Sequence, residues 1–412
     1  MFDAAFISEI DTLLAPADAQ AARFPGEAPS RQPVHTAYVP ADQFTASTCA
    51  EWGSRALTLL STHVTDSASL ASFSGLPAEL MVDVHPRLTA KLASQPIEDV
   101  RVDFEDGYGL RPSEEEDAAA TAAGIALAEL ARRPEAPLLT GTRIKGLQPS
   151  TRWRGLKTLE LLVSAAISHG GLPERFVVTL PKVAHEAEVR AGVRVLSYLE
   201  SAYGLAEGSL RLELQIEVPQ AVYGPDGTAA VARLVHAADG RCEGLHYGTY
   251  DFSAAAGVVA GYQSLEHPLA DHAKAVMQLA AAQTGVRVSD GSTNVIPVGS
   301  PEAVAQAWTL HARLVTRALE RALYQGWDLH PGHLVTRYAA TYAFYRAQLA
   351  PSAARLRAYT QKADSGVMDE PATAQALANA VLRAVECGAC DDSEVLRASG
   401  LDRAALLVLA KR

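Results

Sequence analysis

RFVVTLPK (Arg175–Lys182) and RLELQIEV (Arg211–Val218) are two apolar, β-branched runs that bracket a longer stretch of helical period. Apolar runs of this length predict buried strands, and the segment between them is long enough for a crossover helix. The two runs and their connection therefore predict one strand–helix–strand unit with parallel strands. Each run closes on a polar residue, Lys182 or Glu217, where the strand is expected to end.

The same alternation continues on both sides of this unit. Six further runs predict strands: His35–Pro40, Val100–Glu105, Leu138–Lys145, Gly244–Gly248, Val286–Ser289 and Gly326–His330. Polar residues close the runs at intervals of 34 to 40 residues, each interval fitting one βα unit: Asp106, Arg143, Lys182, Glu217, Asp251, Asp290 and His330. The pattern predicts a (β/α)8 TIM barrel, with a doubly wound open sheet as the alternative.

Two segments fall outside this repeating pattern. The interval between the first and second strands is long, and we predict an insertion at about residues 45–96 that holds extra helices or a lid. Beyond about residue 340 the chain has helical period, interrupted by GVMDEPAT (Gly366–Thr373). We therefore predict a barrel over residues 1–340 and a helical C-terminal extension over residues 341–412.

Composition limits the class of protein. Hydrophobic residues make up 48% of the 412 and charged residues 20%, which suits a folded protein with a sizeable core. The net charge of −11 argues against a nucleic-acid partner, and no cluster of Lys and Arg stands out along the sequence. No run approaches the ~18 apolar residues of a membrane span. The N-terminus lacks the pattern of a secretion signal, a basic segment followed by an apolar one.

The cysteines do not indicate a disulfide framework, because there are four in 412 residues. A cytoplasmic location is therefore expected. Cys387 and Cys390 form CGAC, but no second such pair or nearby pair of histidines completes a zinc site, and we expect inert packing. Neither a GxGxxG nor a Walker-type motif supports nucleotide binding.

Glu217 and Asp251 follow adjacent predicted strands, in LELQIEVP and GLHYGTYD. A barrel brings the carboxyl ends of its strands to one mouth, so both carboxylates are expected there. Two hard oxygen ligands, completed by water and substrate oxygens, suit Mg2+ or Mn2+. Surface carboxylates paired with Arg or Lys are the alternative.

Arg143, in GTRIKG, is expected at the same mouth, where a guanidinium can grip a substrate carboxylate through two parallel hydrogen bonds. An ion pair with Asp103, Glu105 or Asp106 is the alternative, and both can hold at once. Lys145 shares the face of Arg143 by strand alternation, and is a candidate either for substrate binding or for exposure to solvent.

Glu105 and Asp106, in VDFEDGYG, cannot share a face if the strand continues through them. One is then expected to face the mouth, and the other the barrel wall or a loop. Glu105 is a candidate substrate contact and Asp106 a candidate for moving a proton. Structural pairing of these acids with Arg143 or Lys182 is the alternative.

Each of the other polar residues near the strand ends has two possible roles. Lys182, in TLPKV, is a candidate Schiff-base amine or a cation that neutralises the surrounding acids, and the metal pair favours the second role. His333, in DLHPGH, and His246 are candidate general acids or bases, or ordinary packed histidines. Gly248 and Thr249 form a turn whose backbone N–H groups can converge on a substrate anion, and an ordinary turn fits equally.

Seven segments, in order along the chain, resemble the citrate lyase beta-subunit family, which includes the HpcH/HpaI aldolases and malyl-CoA-type lyases. They are TAYVPA, VDFEDGYG, TRIK, LPKV, QIEVP, GTYDFSAAAG and GWDLHPGH, and they span about Thr36 to His333. The resemblance implies a (β/α)8 barrel, with Mg2+ held by Glu217 and Asp251 and a substrate carboxylate or keto group near Arg143. It also implies a homo-oligomer, often a trimer.

The implied activity is a metal-dependent carbon–carbon lyase or aldolase that acts through an enolate on a keto acid, a hydroxy acid or an acyl-CoA thioester. The chain departs from the family at Lys145, where Asn is usual, around Asp251, and in the long insertion. These departures leave the substrate and any use of coenzyme A open. The alternatives are a phosphoenolpyruvate-type mutase or phosphotransferase, which would need more cations or a phosphohistidine, and a non-catalytic metabolite-binding barrel.

Overall fold

The structure is a computed structural model that describes residues 2–361 and 370–412. Within these residues it contains eight strands, and each paired strand runs parallel to its neighbour. The strands are β1 (His35–Pro40), β2 (Asp99–Asp103), β3 (Leu139–Arg143), β4 (Phe176–Leu180), β5 (Leu210–Ile216), β6 (Cys242–Tyr247), β7 (Arg287–Ser289) and β8 (Gly326–Asp328). Every strand predicted from the sequence is confirmed.

The sheet closes on itself. Neighbouring strands follow the order β7-β6-β5-β4-β3-β2-β1-β8. Ser289, at the end of β7, forms a parallel bridge to Gln325, which directly precedes β8. The Asp290 N–H also donates to the Gln325 carbonyl at 2.9 Å. The first and last strands of the order therefore meet, so the sheet is a (β/α)8 barrel and the open-sheet alternative is excluded.

Sixteen α-helices lie in the described ranges, and those between strands pack around the barrel. They are α1 (Ala4–Ala21), α2 (Thr48–His63), α3 (Ser67–Ser74), α4 (Ala78–Ser94), α5 (Ser113–Leu130), α6 (Arg152–Ser168), α7 (Glu186–Tyr203), α8 (Pro219–Val222), α9 (Ala230–Ala237), α10 (Thr249–Ala255), α11 (Pro268–Ala281), α12 (Pro301–Glu320), α13 (Pro331–Gln361), α14 (Pro371–Glu386), α15 (Asp392–Ser399) and α16 (Arg403–Ala410).

The helix α7 shows how local sequence sets these boundaries. The His185 side chain accepts a hydrogen bond from the Ala187 N–H at 3.1 Å, and the Glu188 carboxylate accepts one from the His185 N–H at 3.0 Å. These contacts satisfy N–H groups that the first turn leaves unpaired. The helix ends at Gly204, whose φ of 67° is easily adopted without a side chain. The chain is thereby returned to the start of β5.

The strand β2 shows how the sequence divides between the two sides of the barrel wall. Val100 and Val102 belong to the hydrophobic core, whereas the alternating residues Asp99 and Arg101 face the interior. The Arg101 guanidinium bonds to Asp99 and, across the barrel, to Glu213 of β5 at 3.2 Å. These charged side chains are buried. A buried ion cluster thus occupies a place where branched aliphatic side chains are usual in such barrels.

The predicted insertion at about residues 45–96 consists of α2, α3 and α4. The helices α2 and α4 pack against α13, and α3 packs against α12. A Cβ at Gly53 of α2 would lie 2.5 Å from the Leu92 carbonyl oxygen of α4, so these two helices approach closely. The insertion is therefore helical and packs against the helices that flank β8.

The C-terminal region is built on α13, which runs continuously from Pro331 to Gln361. The boundary predicted at residue 340 falls inside this helix, which belongs to both the barrel and the extension. Residues 366–369 of the predicted GVMDEPAT break lie outside the described residues, and α14 begins at Pro371. Cys387 and Cys390 are free and buried, and burial raises the pKa of Cys387 to about 12, as expected of inert packing.

The helix α1 differs from the others, because all eighteen of its residues are exposed. It leads through a segment that includes Ser30 to the start of β1. None of the helices in residues 2–361 and 370–412 is long and apolar enough to cross a lipid bilayer.

Candidate active site

Lys182 lies at the centre of the mouth that the carboxyl ends of the strands form. Its ammonium lies 2.6 Å from Glu105, 3.0 Å from Asp106 and 3.0 Å from Asp251. Partial burial lowers the pKa of Lys182, but the surrounding carboxylates raise it by more. The pKa of Lys182 therefore lies well above its usual value. A lasting positive charge disfavours the Schiff-base role, which needs a neutral amine, and favours the neutralising role.

Glu105 and Asp106 both reach Lys182, which strand alternation did not predict. The strand β2 ends at Asp103, so these two acids lie in the turn that follows it. The Glu105 and Gly107 N–H groups donate to the two oxygens of Asp103, each at 2.9 Å, and this holds the turn. A turn directs successive side chains to the same side of the mouth, whereas a strand would have separated them.

The backbone at Lys182 adopts a disfavoured conformation. Its φ of 53° lies in the left-handed region, which residues with side chains rarely adopt. Its N–H donates to Glu217 Oε1 at 2.7 Å, and the Gln148 side-chain amide donates to its carbonyl at 3.0 Å. Strained residues of this kind persist where surrounding contacts fix them, often at functional sites. These contacts hold the ammonium among the acids.

Glu217 is buried beside Lys182, with 1% of its surface exposed. Its Oε2 accepts a hydrogen bond from the Gln215 side-chain amide at 2.5 Å. Burial raises the pKa of Glu217 to about 8, against the opposing effect of Lys182 and Arg143. Glu217 is therefore largely protonated near neutral pH when no cation is bound.

Gly248 lets β6 approach Glu217. A Cβ at Gly248 would lie 2.4 Å from the Glu217 Cβ and 2.6 Å from its Oε2. The Gly248 N–H donates to the Ile216 carbonyl at 3.0 Å, and the Thr249 hydroxyl donates to the Ser292 carbonyl at 3.0 Å. Packing against Glu217 is thus a structural reason for glycine here, and anion binding by this turn stays a prediction.

Arg143 is buried and held on several sides. Its Nε and Nη2 donate to the two oxygens of Asp103 at 2.7 and 2.6 Å, and its Nη1 donates to Gln215 at 3.2 Å. The guanidinium carbon lies 5.0 Å from the ring centre of Tyr38 and 5.2 Å from that of Trp327. The predicted ion pair with Asp103 is thus present, and a substrate contact stays a prediction.

The sequence reasoning missed three of the residues that position Arg143. Gln215 precedes Glu217 by two residues, so strand alternation could have placed both side chains inside the barrel. Tyr38 and Trp327 lie in segments that carried the family resemblance, but no pattern assigned their side chains to Arg143. The ring centroids of Tyr38 and Trp327 lie 4.1 Å apart, and both rings lie beside the guanidinium.

Lys145 is buried, so the alternative that its side chain is exposed to solvent is wrong. Its ammonium donates to Glu116 at 2.7 Å and to the Phe104 carbonyl at 2.8 Å. It lines a cavity of about 680 Å3 that Lys182 and Glu105 also line. A cavity of this size admits a small ligand. Contact between Lys145 and substrate stays a prediction.

The carboxylates at the mouth suit a hard divalent cation. Glu217 and Asp251 offer oxygen ligands, and Mg2+ commonly takes only one or two carboxylates, with water and substrate supplying the rest. Three carboxylates, those of Glu105, Asp106 and Asp251, surround the single ammonium of Lys182, and Glu217 is buried beside it. The residues therefore fit the metal that the resemblance implies.

A second cluster of potential ligands lies beside β8. In the part of the chain that the structure describes, one group of at least three His, Cys, Asp or Glu residues brings its ligand atoms within 4.8 Å: His311, Asp328 and His333. Arg337 already donates to both oxygens of Asp328, at 2.9 and 3.2 Å. A metal ion would be repelled by this guanidinium, so we interpret the cluster as a buried hydrogen-bond network.

His333, a predicted catalytic residue, belongs to this network. Its ring stacks on that of His311 with centroids 4.5 Å apart, and its Nε2 lies 2.9 Å from the Val295 carbonyl. Burial lowers the pKa of His333 to about 3, which keeps it neutral at physiological pH. His246 lies inside the barrel, 2.6 Å from Glu213. A catalytic role for either histidine stays a prediction.

A protein-family model described as a domain of unknown function, DUF6986, matches residues 14–412. The chain belongs to this family. The match spans the barrel, the insertion and the described C-terminal helices of this DUF6986 protein. No curated protein matches it.

Several solved structures are similar to this DUF6986 protein. A citrate lyase from Burkholderia xenovorans LB400 is 17% identical with a TM-score of 0.58, and the match covers 87% of this chain and 94% of that one. A Haloferax volcanii malate synthase is 17% identical, with a TM-score of 0.48 and coverage of 76% and 74%. An HpcH/HpaI aldolase/citrate lyase family protein from Burkholderia cenocepacia J2315 is 15% identical, with a TM-score of 0.38 and coverage of 62% and 86%. The likeness to the citrate lyase confirms the predicted fold.

Proposed function

We propose that this protein is a divalent-metal-dependent carbon–carbon lyase or aldolase that acts on a keto acid, a hydroxy acid or an acyl-CoA thioester. The observation that carries the proposal is the set of carboxylates crowded around Lys182, at the mouth of a barrel similar to that of a citrate lyase. Barrels of this architecture carry their active sites at this mouth.

Glu217 and Asp251 would hold Mg2+ or Mn2+. When bound, the metal supplies positive charge beside the substrate oxygen on which negative charge develops, an effect worth several kcal/mol. Because the pKa of Glu217 is raised to about 8, this side chain carries a proton near neutral pH before the cation arrives. Metal binding then releases that proton, so the affinity for Mg2+ rises with pH up to about 8.

Arg143 is suited to holding a substrate carboxylate. Hydrogen bonds to Asp103 and Gln215 use three of its five N–H groups. Its Nη1 also lies 3.5 Å from Glu105 Oε2, so a ligand carboxylate would compete with Glu105 for part of the remaining donor capacity. The bidentate pair with Asp103 fixes the plane of the guanidinium before substrate binds, so little ordering is left to the binding step. Lys182 adds an ammonium that holds Glu105 and Asp251 close together.

The experiment that tests the proposal follows the exchange of methyl protons for deuterium in pyruvate and in acetyl-CoA by NMR. We expect exchange in one of the two compounds with Mg2+, and none without it. Glu217→Gln should abolish the exchange, whereas Glu9→Gln, on the exposed helix α1, should leave it unchanged. The compound that exchanges identifies the substrate class.

A calorimetric measurement separates metal binding from turnover. Wild type should bind Mg2+ with release of a proton, and Glu217→Gln should bind it at least about tenfold more weakly. Exchange absent from both compounds, in a protein that binds Mg2+, would reject the lyase and move the proposal to phosphoenolpyruvate chemistry or to a binding role.

The homo-oligomeric state, with a trimer favoured, and the cytoplasmic location remain predictions. The first comes from the family resemblance and the second from the cysteine content. A small-molecule carboxylate remains the proposed ligand, because Arg143 matches carboxylate geometry.

A further inference from the structure

Three arginines converge on one carboxylate at the end of the barrel opposite the mouth. Glu243 of β6 lies 3.5 Å from Arg175, 3.3 Å from Arg211 and 3.2 Å from Arg287. Arg211 and Arg287 lie at the starts of β5 and β7, and Arg175 directly precedes β4. Parallel strands bring their amino ends together, so residues far apart in sequence form one cluster.

The charges of this cluster do not balance. Glu243 supplies one negative charge against three guanidinium groups. Burial lowers the pKa of Arg287, and repulsion from Arg175 and Arg412 adds to this effect, although Glu243 opposes it. Since guanidinium groups stay protonated, the cluster keeps an excess of positive charge within a protein of net charge −11.

The three arginines around Glu243 also have hydrogen-bond donors that are not fully used. Arg287 donates to the Ser30 carbonyl at 3.0 Å and to the Ser30 hydroxyl at 2.5 Å. The contacts of Arg175 with Ser30 and Glu243 are both at 3.5 Å, the outer limit for a hydrogen bond. The Nε of Arg211 is buried and lies 3.3 Å from Glu243 Oε1, without the geometry of a hydrogen bond. An incoming acceptor would find donors already aimed at one place.

Two cavities give access to the cluster, one on each side of Ser30. A cavity of about 520 Å3 is lined by Arg211, Glu243 and Ser30. A cavity of about 500 Å3 is lined by Arg287, Ser30 and Arg412. Each is large enough for a small ligand. Glu217, which directly follows the strand that contains Arg211, lies six residues further along, which corresponds to roughly 20 Å, so these cavities are separate from the mouth.

We propose that this end of the barrel binds a small multivalent oxyanion between Arg211 and Arg287, the two arginines around Glu243 that line these cavities. The ligand chemistry is a phosphate group or a pair of carboxylates, since both offer oxygens that match the fork of a guanidinium. The site is independent of the proposed lyase chemistry, because it shares no residue with the mouth.

Calorimetry of the full chain with inorganic phosphate and with succinate tests the site, in metal-free buffer held at constant ionic strength with sodium chloride. One saturable site per chain is expected, and the anion that binds more tightly identifies the source. Arg211→Gln should weaken binding by at least about tenfold. Arg190→Gln is the matched control, because Arg190 is 57% exposed and pairs only with the neighbouring Glu186 in the described contacts.

The variant Glu243→Gln distinguishes a binding site from a purely structural cluster. It removes the carboxylate that competes with the ligand, so phosphate or succinate should bind more tightly than to wild type, and should raise the melting temperature more. A purely structural cluster predicts a lower melting temperature that neither anion restores.

The proposal is overturned if neither anion shows saturable binding to wild type. It is equally overturned if binding survives in Arg211→Gln and is lost in Arg143→Gln, since the anion would then occupy the mouth. A stabilisation that sodium chloride reproduces at the same ionic strength would be general screening, and would also reject the site.

Discussion

The two ends of the barrel hold opposite arrangements of charge. At the mouth, Glu105, Asp106 and Asp251 surround one ammonium, that of Lys182. At the other end, three guanidinium groups surround one carboxylate, that of Glu243. The net charge of −11 for the whole chain does not show the local balance of charge at either end. Strand direction therefore separates charged residues by end, so that one chain can suit a cation at one end and an anion at the other.

The buried ion cluster around Arg101 lies between the two ends of the barrel. Breaking this cluster should have the largest effect of the changes considered. In Arg101→Met, the buried carboxylates of Asp99 and Glu213 lose their shared partner. We expect a loss of ~3–5 kcal/mol in the free energy of unfolding by urea, because uncompensated buried charge is costly. Arg190→Met, at an exposed position, should cost less than ~1 kcal/mol. A small loss in Arg101→Met would show that the interior does not need this ion cluster.

Removing the central cation of the mouth should have the next largest effect, on turnover. Lys182→Met leaves the acids around it without their ammonium, and we expect a fall in kcat of ~10²–10³-fold, as when one preorganised donor is removed. Lys157→Met is the control, because Lys157 is 53% exposed and pairs with Asp117 away from the mouth. Unchanged kcat in Lys182→Met would show that this cation has no part in the reaction.

The pH dependence of stability sharpens the contrast, because it reports the burial of a carboxyl group at the mouth. The pKa of Glu217 is raised from about 4.5 to about 8 in the folded protein, so folding favours its protonated form. The stability it contributes is present below pH 4.5 and is lost as the pH rises through 8. Metal-free wild type should therefore lose up to a few kcal/mol more than Glu217→Gln between pH 6 and 8.

Urea unfolding at several pH values measures this loss. Saturating Mg2+ should remove most of the difference, because a bound cation stabilises the carboxylate. Parallel pH profiles for wild type and Glu217→Gln, without metal, would contradict the raised pKa.

The smallest expected effect comes from the close packing beside Glu217. Gly248→Ala places a Cβ 2.4 Å from the Glu217 Cβ, and we expect a loss of ~1–3 kcal/mol in stability together with weaker Mg2+ binding. Gly261→Ala is the matched control, because its Cβ would meet no atom within 4 Å. Equal melting temperatures for the two variants would show that β6 moves freely away from Glu217.

The sequence predicted the strands and the residues at the mouth because period and spacing are local properties. Lys182 and Asp251 could be placed at one end from the positions of the strands that precede them. The turn after Asp103 could not be foreseen, because a strand ends where its ladder of hydrogen bonds ends, which depends on its neighbours. The cluster around Glu243 was missed for a related reason: its arginines are dispersed along the chain and meet only when the barrel closes.

The left-handed backbone at Lys182 is less favourable than an ordinary backbone conformation, but the residue there places an ammonium at the mouth. Glycine at this position would relieve about 1 kcal/mol of backbone strain, but it would remove the ammonium that compensates Glu105, Asp106 and Asp251. Among variants at position 182 that lack the ammonium, glycine should therefore be the most stable, whereas a library sorted for activity should return lysine.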